Sequence, residues 1–187
     1  MGAVTLVEDG VTTGGRLGEM IRYAVADCSL GRVVVAATDV GVCLIAFADA
    51  YADLLTELGD RFPHAELLPG DAGFAGRLAE VVGCVDAPAL GFGLPLDARG
   101  TAFQRRVWDE LRAIPSGRTA TYTEVAARIG RPTAARAVAG ACAANPLAVV
   151  VPCHRVVRTG GAVSGYRWGV ERKKELLRRE AGQTMSD

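Results

Sequence analysis

No stretch of the 187-residue chain reaches the ~18 consecutive apolar residues of a membrane-crossing helix, which argues against a helical membrane protein. Residues Met1 to Met20 also lack the basic-then-apolar pattern of a secretion signal. They are rich in Gly and Thr and carry acidic residues, a composition that predicts a flexible lead-in over residues 1–20. No two cysteines form a C-x-x-C pair; the five (Cys28, Cys43, Cys84, Cys142 and Cys153) are odd in number and widely spaced. That pattern is neither a disulfide framework nor a zinc site, and it points to a reduced, cytoplasmic setting in which any cysteine is a free thiol. Net charge is missing as well, because 21 basic and 21 acidic residues cancel. The cancellation hides a division. Up to Leu96 there are 5 basic and 13 acidic side chains, a net of −8, and from Asp97 onward 16 basic and 8 acidic, a net of +8. Such asymmetry is read either as two solvated faces or as a hint of a nucleic-acid or anionic-membrane partner on the basic side.

With half of its residues hydrophobic, the chain can build a core, and its length suits one domain or two small subdomains. Arg22 to Cys28, Arg32 to Thr38 and Val42 to Ala48 predict three strands joined by turns at Leu30-Gly31 and Asp39 to Gly41, a small antiparallel meander. Tyr51, Leu54, Leu55 and Leu58 recur at helical spacing, as do Phe74, Leu78, Val81 and Val82, the second helix fading at Gly83 or Val85. Asp86 to Gly100, with two prolines and three glycines, is the expected linker between an acidic half (21–96) and a basic, mostly helical half (97–187). There Thr101 with Gln104 and Thr121 with Glu124 form capping boxes, the second ahead of a short helix from Glu124 to Ile129 that Gly130 stops. A further helix is expected from Pro132 or Thr133 to about Ala144, which with its predecessor has the outline of a helix-turn-helix. Leu147 to Val151 reads as a buried, strand-like run, and a last helix spans roughly Val170 to Glu180, with Leu176 and Leu177 inward and several Arg and Lys outward.

Three features carry chemistry. The helix from Thr133 to Ala144 is almost entirely small, with Arg136 its one long side chain; it is either a tightly packed core helix or one able to approach another surface closely. Cys153 follows an apolar run and a proline, with His154 beside it and Arg155 beyond, and nearby positive charge favours the nucleophilic thiolate. In an extended strand adjacent side chains point apart, so Cys153 and His154 can cooperate only through a bend or a bridging water. Tyr166 and Trp168, among Gly160, Gly161, Gly165 and Gly169, could wall a planar pocket for a nucleobase or simply pack a loop. His64, the other histidine, reads as a surface loop residue.

Pro152-Cys153-His154-Arg155-Val156-Val157 resembles the active-site motif of the O6-alkylguanine-DNA alkyltransferases. The resemblance runs from Phe103-Gln104 and Val107-Trp108 through Thr121-Tyr122, Arg136-Ala137-Val138 and Asn145 to Ser164-Gly165-Tyr166 and Leu176 to Glu180. It is looser in the first half, at Arg22-Tyr23, Asp27-Cys28 and Pro95-Leu96-Asp97. Within the family the chain is similar to the C-terminal methyltransferase domain of bacterial adaptive-response proteins, without the zinc-cysteine and regulatory domains that precede it there. The resemblance implies an α+β fold: a small antiparallel-sheet, ribonuclease-H-like N-terminal subdomain and a mainly helical C-terminal domain with a helix-turn-helix. It implies direct repair of double-stranded DNA by irreversible transfer of the alkyl group from O6-alkylguanine, with O4-alkylthymine a second candidate, to the protein's own cysteine. The protein would act once, as a monomer, without cofactor or metal.

By the same resemblance, Cys153 is the acceptor, His154 deprotonates it through a water, Glu180 orients His154, and Asn145 braces the turn between helix and active-site strand. Thr133, Ala134, Ala135, Arg136 and Ala137 enter the minor groove, with Arg136 replacing the extruded base and Tyr122 helping to rotate it out. Tyr122, Cys142, Val156, Tyr166, Arg167 and Trp168 form the substrate pocket. Mammalian-type relatives carry a proline where Ala148 stands and a glycine where Trp168 stands; Trp168 is expected to narrow the pocket and slow reaction with O6-benzylguanine. Competing readings are a helix-turn-helix binder of alkylated DNA without chemistry, and a cysteine hydrolase built on Cys153 and His154.

Overall fold

Val33 to Ala37 and Val42 to Phe47 are apolar without alternation, and every one of these residues is buried. Strands read this way when both faces are covered. The computed structural model, which describes residues 18–88, 91–163 and 165–183, shows how. Strands β1 (Met20–Cys28), β2 (Gly31–Ala37) and β3 (Val42–Ala48) form the expected antiparallel meander. Helices α1 (Tyr51–Arg61) and α2 (Ala75–Asp86) pack on this sheet, burying Leu54 and Leu58 from one and Val81, Cys84 and Val85 from the other. Tyr51, the first of the helically spaced residues, is exposed. A fourth strand, β4 (Glu66–Pro69), escaped the sequence reading; it lies parallel to β1 and gives the order β3-β2-β1-β4. Residues 1–17 of the expected lead-in lie outside the described residues, and its last residue, Met20, already belongs to β1.

The free edge of β3 is closed by two segments from elsewhere in the chain. Val42 pairs with Leu96, and Ile45 pairs with Leu147 through Ile45 N donating to Pro146 O (2.9 Å) and Ala148 N donating to Ile45 O (3.0 Å). An uncovered edge would leave backbone groups unpaired. Here it instead anchors the segment that leads to Cys153.

Both capping boxes are present. Thr101 Oγ1 accepts from Gln104 N (3.1 Å) while Gln104 Oε1 accepts from Thr101 N (2.8 Å), opening α3 (Ala102–Arg112). Gly100 is required just before it, because a Cβ there would lie 2.5 Å from the Trp108 ring. Thr121 and Glu124 cap α4 in the same way, so α4 spans Tyr122–Arg128 and begins earlier than the expected Glu124. The two-residue strand β5 (Ala120–Thr121) precedes it. Gly130, at φ +70°, ends the turn after α4. Helix α5 is shorter than expected, Ala135–Ala143, and Thr133 and Ala134 sit in the turn before it. Trp108 Nε1 donates to Ala141 O (2.9 Å), tying α3 to α5.

Leu147 to Val151 is not a strand. Only Leu147 pairs with β3; the chain then curls, Val150 N donating to Ala148 O and Val151 N to Leu147 O, with Val149 at φ +66°. An apolar run reports burial and does not distinguish a strand from a buried turn. A β-branched residue in the left-handed region costs on the order of 1–3 kcal/mol, held in place by the surrounding contacts. A single 3-10 turn (Cys153–Arg155) and the short strand β6 (Val156–Val157), parallel to β5, follow. The last helix, α6 (Val170–Gln183), runs past the expected Glu180.

Candidate active site

The bend that would let neighbouring Cys and His side chains cooperate is the 3-10 turn itself, and Cys153, His154 and Arg155 are all buried in it. Asn145, fully buried between α5 and this turn, holds it from behind. Its Nδ2 donates to Val151 O (2.8 Å), Leu147 O (3.4 Å) and Cys153 Sγ (3.3 Å), and its Oδ1 accepts from Leu147 N (2.9 Å). One amide therefore sets the curl of the apolar segment and touches the thiol.

His154 Nε2 lies 2.9 Å from Glu180 Oε1. Arg155 donates to the same carboxylate from Nε (3.1 Å) and Nη2 (2.9 Å), and Gly117 N adds a fourth contact at 3.2 Å. Arg155 Nη1 donates to Ile114 O (2.6 Å). Burial opposes ionisation of Glu180, but hydrogen bonds from His154 and Arg155 outweigh it and hold the pKa down at about 2. Burial lowers the His154 pKa despite the pull of Glu180 in the other direction, so the ring is neutral at pH 7. Facing a carboxylate, Nε2 must carry the proton, which leaves the Nδ1 lone pair free. Nδ1 is buried with no hydrogen-bond partner among the described residues. The histidine is thus a neutral base whose accepting atom does not touch the Cys153 sulfur.

Cys153 is a neutral thiol. Burial pushes its pKa up to about 11, and the Asn145 amide and Lys173 ammonium recover only part of the shift. The expectation that adjacent positive charge would favour the thiolate is therefore corrected: the guanidinium of Arg155 is turned to Glu180. The cations acting on the sulfur are Lys173 and Arg167 instead, and Lys173 lies on α6, several of whose Arg and Lys were expected outward. Lys173 is fully buried and donates from Nζ to Val156 O (2.5 Å) and Gly165 O (3.4 Å). Burial lowers its pKa, with Cys153 and Cys142 acting against the shift.

Cys153 opens onto a cavity of about 540 Å³. Tyr122 of α4, Ala135, Arg136, Ala139, Cys142 and Ala143 of α5, and Arg158, Gly165, Tyr166 and Arg167 of the loops flanking β6 and α6 line it. Of the residues expected in the pocket, Tyr122, Cys142, Tyr166 and Arg167 are there. Val156 and Trp168 are buried and do not line it. Trp168 packs edge-on against Tyr166 (centroids 5.2 Å apart) and Phe47 (6.4 Å), and so backs the Tyr166 ring that lines the cavity. The Tyr166 hydroxyl is buried without a partner among the described residues. Ser164, quoted in the motif, lies outside the described residues. Arg136 and Ala137 are exposed on α5. A larger hollow of about 680 Å³ shares Arg167 with the cavity; Asp53, Glu57 and Asp60 line it with Arg61 and Arg99, and no cysteine or histidine does. No group of three or more potential metal ligands occurs among the described residues. Arg158 and Lys173 were missed as neighbours of the cavity and the sulfur; an arginine directly after the motif was a usable signal, a buried lysine was not.

Residues 102–182 match the family model described as 6-O-methylguanine DNA methyltransferase, DNA binding domain. The chain is 53% identical over 161 residues to the bifunctional transcriptional activator/DNA repair enzyme Ada of Escherichia coli, covering 86% of this chain but only 46% of that protein. It therefore spans about half the length of that relative. It is 37% identical over 158 residues to a methylated-DNA–protein-cysteine methyltransferase of Mycolicibacterium paratuberculosis, covering 84% of this chain and 91% of the relative. The fold superposes on the crystal structure of Mycobacterium tuberculosis OGT in complex with DNA with a TM-score of 0.72, at 35% identity, covering 87% of this chain and 94% of that one.

Proposed function

The chain belongs to the methylated-DNA–protein-cysteine methyltransferase family, and from that premise we propose that it repairs double-stranded DNA by moving the alkyl group of O6-alkylguanine onto Cys153. The observation that carries this reading is a buried, neutral thiol at the floor of a base-sized cavity, braced by Asn145 and flanked by a histidine with a free, buried Nδ1. A water between Cys153 Sγ and His154 Nδ1 takes the thiol proton as it gives one to the imidazole. The sulfur attacks the alkyl carbon in line with the C–O6 bond. The bonding pair leaves with O6, the guanine regains its 6-oxo form, and the proton borrowed by His154 returns to the base. Glu180, already ionised, balances the transient imidazolium. The thioether product has no hydrolytic exit, so each molecule acts once.

Helices α4 and α5, joined by the turn at Gly130, serve as the helix-turn-helix in this reading. Ala135, Ala137, Ala139 and Gly140 keep α5 thin enough for a minor groove about 6 Å wide. Thr133 and Ala134 precede it at the backbone, Arg136 fills the stack, and Tyr122 turns the damaged nucleotide inward; extrusion costs a few kcal/mol, least for a poorly paired base. We further read the β3-β2-β1-β4 sheet as a ribonuclease-H-like subdomain, with the boundary near Leu96 and Asp97. O4-alkylthymine remains a second candidate substrate of the same pocket, and the protein is expected to act as a monomer in the cytoplasm.

The test is intact-protein mass after mixing with excess double-stranded DNA containing O6-methylguanine. One methyl replacing one proton on Cys153, absent in Cys153→Ala, supports transfer. Unchanged mass with tight binding would make the protein a non-catalytic binder of alkylated DNA.

A further inference from the structure

Three arginines line the cavity, Arg136, Arg158 and Arg167, and the structure gives them different circumstances. Arg167 is committed: its Nη2 donates to Glu57 Oε1 (2.7 Å), its Nη1 to Ala143 O (3.3 Å), and its guanidinium lies 5.9 Å from the Trp168 ring centroid. Arg136 projects from the first turn of α5, where the proposed function already employs it. Arg158 has no assigned role. It is exposed, its side chain has no hydrogen bond or ion pair among the described residues, and it lines the cavity from the segment after β6.

Its backbone is not free to wander. Arg158 N donates to Ala162 O (3.1 Å) and Gly161 N donates to Arg158 O (2.9 Å), closing a tight turn in which Gly160 and Gly161 take φ of +86° and +79°. Directly before it, β6 pairs with β5 and the Val156 carbonyl is held by Lys173. The Cα of Arg158 is thus fixed two residues beyond that carbonyl and five beyond the reactive sulfur, while its guanidinium stays uncommitted. A nucleotide that brings its base to Cys153 must carry its own phosphodiesters across the rim of the same cavity. A planar, permanently charged fork is the side chain suited to hold a phosphate there, and an exposed guanidinium loses little hydration in waiting for it.

We propose that Arg158 binds a backbone phosphate flanking the extruded nucleotide and so holds that nucleotide's sugar-phosphate at the rim while Arg136 occupies the vacated stack. The proposal rests on the reading of this cavity as the receptor for an alkylated base. It separates two tasks usually assigned to one basic surface: Arg136 keeps the duplex open, and Arg158 keeps the released nucleotide from returning.

The experiment compares wild type, Arg158→Gln and Arg158→Lys on a duplex with one O6-methylguanine, by fluorescence anisotropy and by single-turnover methylation of Cys153. Arg158→Gln should raise the half-saturating DNA concentration about tenfold, the loss expected for one charge-assisted contact. It should also reduce the slope of log affinity against log salt by about 0.9, one phosphate's worth. Arg158→Lys should recover part of the affinity, since it keeps the charge and loses the fork. Duplexes carrying a neutral methylphosphonate at single positions beside the lesion identify the partner. At one of them wild type should weaken to the level of Arg158→Gln, and Arg158→Gln should weaken no further. Equal half-saturation of wild type and Arg158→Gln, or additive losses at every methylphosphonate position, would overturn the assignment. A wild type that binds but transfers no methyl would overturn the repair reading instead, and the anisotropy arm would still decide the role of Arg158.

Discussion

Glu180→Gln is the substitution that most sharply separates charge from shape in this site. Glutamine can keep an oxygen near His154 Nε2, 2.9 Å from the present carboxylate, and fits a position that is 1% exposed. What it cannot keep is the negative charge that faces both His154 and Arg155. Glu180 ionises at about 2 instead of its ordinary 4.5, a shift worth about 3 kcal/mol at neutral pH. Because the folded-state pKa is depressed, that stabilisation is complete above pH 4.5 and drains away as the pH falls towards 2. In Glu180→Gln it is lost at every pH, and the Arg155 guanidinium is left buried without its counter-charge, for a total of roughly 3–5 kcal/mol. In a chain of this length that corresponds to a melting temperature lower by about 10 °C. The chemical step suffers separately. The imidazolium formed during proton transfer would face a neutral amide, and transfer should slow by about 10²- to 10⁴-fold. Calorimetry and single-turnover methylation below the variant's melting transition measure the two effects. Transfer within threefold of wild type by a folded Glu180→Gln protein would refute the role of the carboxylate.

The remaining predictions follow from the same geometry. Methyl transfer should be flat between pH 7 and 9, because Cys153 titrates at about 11 and His154 below its ordinary 6.5; a tenfold rise per pH unit across that range would mean that free thiolate, not a relayed proton, limits the reaction. Below that range transfer should fall as His154 takes up a proton, with the midpoint below pH 6.5. Asn145→Ala removes the partner of Leu147 N, Val151 O and the thiol at once, and urea unfolding should show a loss of about 3 kcal/mol, unsatisfied buried groups costing ~1–3 kcal/mol each. O6-benzylguanine should inactivate wild type slowly, because Trp168 holds Tyr166 in the cavity wall; Trp168→Gly should react faster while losing about 3–5 kcal/mol of stability, and equal inactivation rates would remove Trp168 from the account.

What the sequence disclosed followed the range of the interactions. Thr101 with Gln104 and Thr121 with Glu124 were legible because a capping box is closed within four residues. The meander was legible from short turns between apolar strands. Glu66–Pro69 was not, since four residues ending in proline carry little strand signal and gain their place only by pairing with β1. Leu147 to Val151 was misread because the curl is imposed by Asn145 and by the edge of β3, neither of which an apolar run encodes. In the site, Cys153 stood out by its neighbours, whereas Glu180 entered only by resemblance; 26 residues separate it from His154. Lys173 sits with Leu176 and Glu180 on the buried stripe of α6, yet a lysine on a charged helix reads as solvent-facing. The charge division is real, and part of it is neutralised inside the molecule. Arg99, Arg167, Arg172 and Arg179 pair with Glu19, Glu57, Asp49 and Asp86 across the two halves, whereas Arg106, Arg118, Arg131, Arg136 and Arg158 have no side-chain partner among the described residues.

A thiol pushed up to about 11 looks at first like a poor choice for a nucleophile, and for an enzyme that turned over it would be. For an acceptor spent in one event, as proposed above, the balance differs. An exposed thiolate would be consumed by any passing electrophile or oxidant, and each such loss would be permanent. Burial keeps Cys153 protonated and shielded; in the proposed reaction its proton leaves only when a substrate fills the cavity and a water completes the path to His154 Nδ1. Separating base from nucleophile is what makes this possible: a direct hydrogen bond from Cys153 to a histidine compensated by Glu180 would draw the pair towards thiolate and imidazolium in the resting state. Asn145 supplies the contact to sulfur instead, and as a neutral donor it orients the thiol without ionising it. The fold accordingly places the carboxylate on the far side of His154, where Glu180 and Arg155 are paired, and leaves the contact to the sulfur to a neutral amide.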